Sequence, residues 1–364
     1  MVTTRFSASF RLAAGVRLQR LRDFIPSRKS LRKDRLEEFI SSWPDSMAGD
    51  LRLYLRDLHR RASFHQKTTA GAYCPPYWIP LPRWLAKKYR KSAGSPNITQ
   101  RFISDVIWGQ YCLFLFVRIQ DDLYDGQAEL PSLIYASDQF LFEAETLFSR
   151  YFTRTSPFWG IYRHCLRMST RAIIQVDRLQ RSAHAKGAMI LEEYAEVASI
   201  FKIASSAVCI RARRMKDFVR LARLADELAK ASQILDDLED VLEDLERKRF
   251  NYASVVLLQD AGKRMARRDP AALVAESLWL RRGLKDLLSE VRRHLTRAQK
   301  AVEPLGIAEM NKYLADYRSS LDRLEADLHR ERVKIFFRGI PHSKKDIHER
   351  KASGESSARP LALD

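Results

Sequence analysis

The chain has 364 residues, with 64 Lys and Arg against 45 Asp and Glu, giving a formal net charge of +19. Hydrophobic residues make up 46% and charged residues 30%, a balance that excludes a mainly disordered chain. The longest uninterrupted apolar stretch, Tyr111 to Val117, is far shorter than the ~20 residues a membrane-spanning helix needs. A water-soluble chain with a large core is therefore expected, as two domains of ~150 residues or one large helical bundle.

The positive charge is unevenly placed. Residues 1–35 carry ten basic side chains against Asp23 and Asp34, so this arm holds +8. Its apolar residues, among them Phe6, Phe10, Leu12, Val16 and Phe24, are spaced as in an organelle transit peptide or an amphipathic segment on anionic lipid. Peripheral membrane contact through the arm is one expectation, with a cytoplasmic location or organelle import. The basic residues show no aromatic interleaving, so nucleic acid is not an expected partner.

Beyond the arm, apolar residues recur at three- and four-residue intervals and nowhere alternate for long. That pattern predicts an all-α chain with helices over 35–43, 48–66, 99–122, 131–153, 156–183, 189–212, 215–246, 270–302 and 306–336. Pro75, Pro76, Pro80 and Pro82 predict an irregular stretch, and Gly94 to Asn97 and Gly126 to Pro131 predict two more. The expected organisation is a basic arm over 1–35, one helical domain over 36–340 and a disordered tail over 341–364.

Cys74, Cys112, Cys165 and Cys209 form no Cys-x-x-Cys pair, and the eight histidines never fall at Glu-x-x-His spacing. Zinc, dithiol and di-iron centres are not expected, and the cysteines read as reduced and buried.

Acids cluster in two places despite the basic background. The first is Asp121-Asp122-Leu123-Tyr124-Asp125, at the end of the apolar run from Trp108 to Ile119. On a helix, Asp121 and Asp125 lie about 40° apart on one face, with Asp122 beside them. The second runs from Gln233 through Asp236-Asp237 to Asp240 and Asp244. Here Asp236, Asp240 and Asp244 form one stripe and Asp237 flanks it. Like charges at this spacing cost a helix a few tenths of a kcal/mol per pair. Mg²⁺ would reverse that cost, because it takes hard oxygen ligands: one or two carboxylates, waters and phosphate oxygens. Two such rows facing each other would hold several Mg²⁺ ions around a diphosphate.

These residues resemble the class I isoprenoid synthases, which comprise trans-prenyl diphosphate synthases, terpene cyclases and squalene/phytoene synthases. Asp121-Asp122-Leu123-Tyr124-Asp125 is similar to their first motif, Asp-Asp-x-x-Asp. Gln233-Ile234-Leu235-Asp236-Asp237-Leu238-Glu239-Asp240 is similar to the second, Gln-x-x-Asp-Asp-x-x-Asp. Phe201-Lys202-Ile203-Ala204-Ser205 resembles a segment whose lysine meets the allylic diphosphate. Arg247-Lys248-Arg249-Phe250-Asn251-Tyr252-Ala253 resembles the basic turn after the second motif. Ser137 to Phe142 resembles the helix after the first.

The resemblance covers about residues 75–260. It implies an all-α bundle around an apolar central cavity, an allylic prenyl diphosphate substrate, and about three Mg²⁺ ions that arrive with it. Asp121, Asp122, Asp125, Asp236, Asp240 and Asp244 are the implied metal ligands. Asp121, Asp122, Asp125, Asp236, Asp237 and Asp240 are the implied catalytic acids, and Lys202, Lys248 and Arg249 the implied diphosphate ligands. Tyr111, Phe114, Leu115, Tyr124, Phe140 and Phe201 are implied as walls for a carbocation. A homodimer is usual for prenyl synthases.

The chain departs from the elongating enzymes in two places. Upstream, where they carry Gly-Lys-Arg, it reads Trp78-Ile79-Pro80-Leu81-Pro82-Arg83. After Asp125 it continues Gly126-Gln127-Ala128 without their arginine pair. The half of the site that holds isopentenyl diphosphate is thus expected to be lost, which favours cyclisation, quenching or transfer over elongation. The alternatives are a chain-elongating synthase, a non-catalytic partner subunit of one, and a basic helical adaptor for a membrane or nucleic acid.

Overall fold

The computed structural model describes residues 31–68, 76–90, 98–182, 186–259, 269–280 and 282–338. In chain order the helices are α1 (Leu31–Ile40), α2 (Asp45–Thr68), α3 (Leu81–Arg90), α4 (Gln100–Tyr124), α5 (Ser132–Ser149), α6 (Pro157–Gln180) and α7 (Gly187–Val197). A 3₁₀ turn, Ala198–Lys202, leads into α8 (Ile203–Arg211). Then follow α9 (Met215–Glu246), α10 (Tyr252–Gln259), α11 (Pro270–Leu280), α12 (Gly283–Val302), a short 3₁₀ turn and α13 (Ala308–Arg338). No strand occurs among the described residues.

Two long pairs organise the bundle. α4 lies along α5, and α9 lies along α12, while α6, α7 and α8 pack between these pairs. All contribute to one hydrophobic core. α4 is capped by Thr99, whose hydroxyl accepts the Phe102 N–H at 3.1 Å. α6 is capped by Ser156, with Pro157 at its first position, where the missing N–H costs nothing. α4 as a whole is long and apolar enough to cross a membrane, which the seven-residue run from Tyr111 to Val117 does not reveal. Two thirds of its most apolar window is buried inside the bundle.

Four elements differ from the sequence expectation. The proline-rich stretch contains α3, because Pro82 sits in its first turn, the place a helix tolerates proline. The span 189–212 breaks at the 3₁₀ turn, where neighbours take over backbone groups. Ser169 Oγ donates to the Val197 carbonyl at 2.7 Å, and Gln110 Oε1 accepts the Ala204 N–H at 3.1 Å. The span 270–302 divides before Gly283, where a Cβ would collide with Leu257 and Ser277. α10 follows the basic turn directly, with Asn251 Oδ1 accepting the Ser254 N–H at 2.9 Å as its cap.

α1 begins at Leu31, inside the span expected to be an arm. The rest of that arm, residues 1–30, and the tail over 341–364 lie outside the described residues, as do Cys74, Pro75 and the Gly94–Asn97 break. Cys112, Cys165 and Cys209 are free and buried.

The α4–α5 contact depends on Gly109, because a Cβ there would sit 3.0 Å from the Phe148 ring. Gly109→Val is expected to lower stability by about 1–3 kcal/mol through overpacking, read from urea unfolding. Gly160, on the exposed side of α6, has nothing within 4 Å of its added Cβ. Gly160→Ala is expected to raise stability by about 0.5–1 kcal/mol in the same assay.

Candidate active site

The end of α4 divides its acids between two roles. Asp122 turns inward and is 1% exposed. The Tyr54 hydroxyl from α2 donates to its Oδ2 at 2.9 Å, and Arg118, one turn earlier, pairs with Oδ1 at 2.6 Å. Its carbonyl accepts the N–H groups of Gln127 and Ala128, which folds the following loop back on the helix. Asp121 turns outward, with a side chain 32% exposed and Arg118 3.6 Å away. Partial burial, with Asp125 and Asp122 as like-charged neighbours, pushes its carboxyl up to about 6 against the pull of Arg118 and Arg249. Gly126 follows Asp125 at φ +68°, a backbone that suits glycine and ends the helix here.

The same division recurs on α9. Asp236 is exposed, within reach of Gln233 Nε2 at 3.4 Å. Asp237 is 3% exposed and accepts from the Tyr194 hydroxyl, from Gln233 Nε2 and from the Tyr252 N–H at 2.7 Å. Burial dominates over these donors and pushes its carboxyl up to about 8. Asp240 and Asp244 are half-buried, one and two turns beyond Asp236. Asn251 Nδ2 donates to Asp244 Oδ2 at 2.7 Å and to the Asp237 carbonyl at 2.9 Å, which ties the end of α9 to the start of α10.

Sequence reasoning places Asp122 among the metal ligands and Asp237 among the catalytic acids. The structure buries both behind protein partners, so their contacts are with α2, α7 and α10, and they orient the helices that carry Asp121 and Asp236.

The two clusters meet at one end of the bundle. Arg118 lies within electrostatic reach of Asp236 as well as Asp121 and Asp122. Arg249 Nη2 donates to Asp125 Oδ1 at 2.9 Å and to Asp177 Oδ1 at 3.1 Å, with Asp244 nearby. These contacts draw the ends of α4, α6 and α9 together. A backbone bond reinforces them, from the Phe250 N–H to the Gln180 carbonyl at 2.6 Å. Asp177 is the acid that sequence reasoning missed. It also accepts from Arg181 Nε at 3.0 Å and from the Tyr124 hydroxyl at 3.3 Å, and against the effect of burial Arg181 and Arg249 hold its carboxyl below the usual range. It stands alone in a basic stretch with no repeated spacing, so no pattern marks it.

The remaining expected residues are placed as follows. Lys202 is nearly buried, its ammonium 2.5 Å from Asp226 Oδ1 and 3.3 Å from Ser199 Oγ. Lys248 is exposed at φ +59°, in the turn that presents Arg249. Among the expected wall residues, Phe201, Phe114 and Tyr111 belong to one aromatic row, joined by Trp78. Phe140 belongs instead to the core with Phe39 and Trp43, and Tyr124 is largely exposed beside Asp177.

Among the described residues no three acidic, His or Cys side chains converge as a preformed metal cage. The donor set nonetheless suits Mg²⁺, which usually takes one or two carboxylates and completes its shell with water and substrate oxygens. Burial first, and then the like charges of Asp125 and Asp122, push the Asp121 carboxyl upward, and a divalent cation would offset both.

No protein-family model and no curated protein matches the sequence. Solved structures do match in fold. A polyprenyl synthase from Roseobacter denitrificans superposes with a TM-score of 0.50 at 17% identity, over 70% of this chain and 85% of that one. A geranylgeranyl pyrophosphate synthetase from the archaeon Geoglobus acetivorans gives a TM-score of 0.54 at 14% identity, over 82% and 97%. The chain therefore has the all-α isoprenoid synthase fold.

Because the Asp237 carboxyl is raised in the folded chain, folding favours its protonated form. Its contribution to stability is complete below about pH 4, the ordinary carboxyl value, and is lost as pH rises through about 8. The Asp237→Asn variant, which keeps the shape, is expected to lack this decline. Denaturant unfolding of both proteins from pH 5 to 9 checks it, and parallel curves would contradict the assignment.

Proposed function

We propose that this chain is a Mg²⁺-dependent isoprenoid synthase that ionises an allylic prenyl diphosphate and does not elongate it with isopentenyl diphosphate. The observation that carries this reading is the matched pair of carboxylates, Asp121 on α4 and Asp236 on α9. Each is turned outward at the same end of the bundle, and each is backed by a buried neighbour that fixes its helix.

Asp121, Asp125, Asp236 and Asp240 would hold the Mg²⁺, which supplies the charge neutralisation a departing diphosphate requires. Arg249, already between Asp125 and Asp177, presents a planar guanidinium that can donate to the diphosphate oxygens. Arg118 stays with Asp122 and keeps the end of α4 rigid. Asp244, held by Asn251, positions the turn that carries Lys248 and Arg249. The row of Phe114, Trp78 and Phe201 faces the prenyl chain with apolar surface and π-electron density, neither of which quenches a cation. The absence of the upstream Gly-Lys-Arg and of an arginine pair after Asp125 supports a site for one diphosphate rather than two.

The test is diphosphate release from geranyl, farnesyl and geranylgeranyl diphosphates, with Mg²⁺ or EDTA and with or without isopentenyl diphosphate. Release is expected only with Mg²⁺ and without need of isopentenyl diphosphate. Asp121→Ala and Asp236→Ala are each expected to reduce it about 100-fold or more, with helicity by circular dichroism unchanged. Undiminished release in both variants would overturn the site assignment. No release by the wild-type chain would favour a non-catalytic partner subunit. Since a proton competes with the cation for the Asp121 carboxylate, raised to about 6 in the metal-free chain, the Mg²⁺ concentration needed for release is also expected to rise as pH falls below about 6.

A further inference from the structure

The face of α4 beneath Asp121 leads to a group of rings. Phe114 stands seven residues earlier, on the same side of the helix and about 10 Å deeper. Its ring lies 5.4 Å from Trp78, and Trp78 stacks on Phe201 at 4.9 Å with an interplanar angle of 11°. Trp78 is only 6% exposed. The segment upstream of the first acidic cluster thus contributes rings at this level, and the adjacent cation, Lys202, is engaged by Asp226. A second diphosphate placed here would lose its hydration against aromatic surface, with the neighbouring Lys202 already engaged.

Two buried polar atoms on residues that flank these rings, Tyr77 next to Trp78 and Gln110 one turn from Phe114, lack a hydrogen-bond partner among the described residues: the Tyr77 hydroxyl and Gln110 Nε2. Tyr77 is 8% exposed and Gln110 is fully buried. Gln110 lies one turn below Phe114, and its Oε1 is already committed to the Ala204 N–H just past Lys202. Tyr77 adjoins Trp78 in sequence and lies within electrostatic reach of Asp226, the partner of Lys202. Buried groups of this kind are nearly always satisfied, so each calls for a small polar partner. One is a donor and the other both donates and accepts, which suits an uncharged oxygen bearing a proton.

We infer that this aromatic side is an acceptor subsite for an uncharged oxygen nucleophile, water or an alcohol hydroxyl, held by Tyr77 and Gln110. The inference rests on the ionisation reading above and names what captures the cation. The bond between the allylic carbon and the bridging oxygen breaks, and its electron pair leaves with the diphosphate. The resulting cation is faced by Trp78, Phe114 and Phe201. A lone pair of the bound oxygen forms the new C–O bond, and the proton it releases passes to the departed diphosphate. The product is an alcohol, or an ether where the acceptor is an alcohol, together with hydrogen diphosphate. Trp78 is then a specificity-determining residue, since its ring stands where cations for a second diphosphate would be needed.

The experiment uses the full chain with Mg²⁺ and each of the three allylic diphosphates in ¹⁸O-labelled water, against an enzyme-free control. The expected product is an alcohol with ¹⁸O on carbon, which distinguishes C–O cleavage from phosphatase action. Added short alcohols, giving ethers instead, would identify an alcohol as the acceptor. Tyr77→Phe removes only the hydroxyl and is expected to lower oxygenated product per diphosphate released about tenfold, the effect of losing one hydrogen bond. Should Tyr77→Phe fail to fold, Trp78→Leu serves, with the same ratio expected to fall. A product that is only hydrocarbon, a longer diphosphate formed with isopentenyl diphosphate, or an unchanged ratio in the variants would overturn the inference while leaving ionisation intact. Absence of any diphosphate release would instead overturn the ionisation reading, and this inference with it.

Discussion

Like charges are held together at one end of the helical bundle. Asp121, Asp122 and Asp125 end α4, Asp236 to Asp244 occupy the last turns of α9, and Asp177 closes α6. Left unbalanced, these carboxylates would push three helix ends apart. Two arginines prevent it: Arg118 engages Asp122, and Arg249 spans Asp125 and Asp177. The buried member of each Asp-Asp pair does further structural work. Asp122 joins α4 to Tyr54 of α2, and Asp237 joins α9 to Tyr194 of α7 and to the backbone of α10. Two carboxylates, Asp121 and Asp236, are thereby left facing outward, one on each helix.

Below this charged end the bundle changes character. The 3₁₀ turn between α7 and α8 is held by Ser169 and Gln110 from neighbouring helices, and it presents Phe201 and Lys202 side by side. Phe201 joins the rings of Trp78 and Phe114, while Lys202 is neutralised by Asp226. Charge at one end and aromatic surface beneath it is the arrangement on which the proposed ionisation rests. The same break in the helix that positions Phe201 leaves Gln110 half satisfied, which links the backbone irregularity to the proposed acceptor subsite.

Much of this was legible in the residue pattern. The 3.6-residue periodicity located the long helices, and α9 matched its expected bounds of 215–246. The two acidic clusters stood out because they interrupt a basic chain at helical spacing. The departures arise where tertiary contacts override local signals. Pro82 reads as a breaker until its place in the first turn of α3 is known. The break at Ala198–Lys202 depends on Ser169 and Gln110, which are distant in sequence. Spacing alone cannot say which acid of a pair faces the core, so Asp122 and Asp237 read like Asp121 and Asp236. Asp177 carried no repeated spacing, and its role comes from the fold bringing Arg249 to it.

Metal binding with a non-hydrolysable allylic thiodiphosphate tests whether the two acidic clusters act as one site. Mn²⁺ bound to the protein would be counted by electron paramagnetic resonance in the wild type and in the Asp121→Asn, Asp236→Asn double variant. If outward carboxylates from both clusters share one metal–diphosphate site, ion binding strengthens when the thiodiphosphate is added and is lost in the double variant. Mn²⁺ binding equal in both proteins, or indifferent to the thiodiphosphate, would contradict the account.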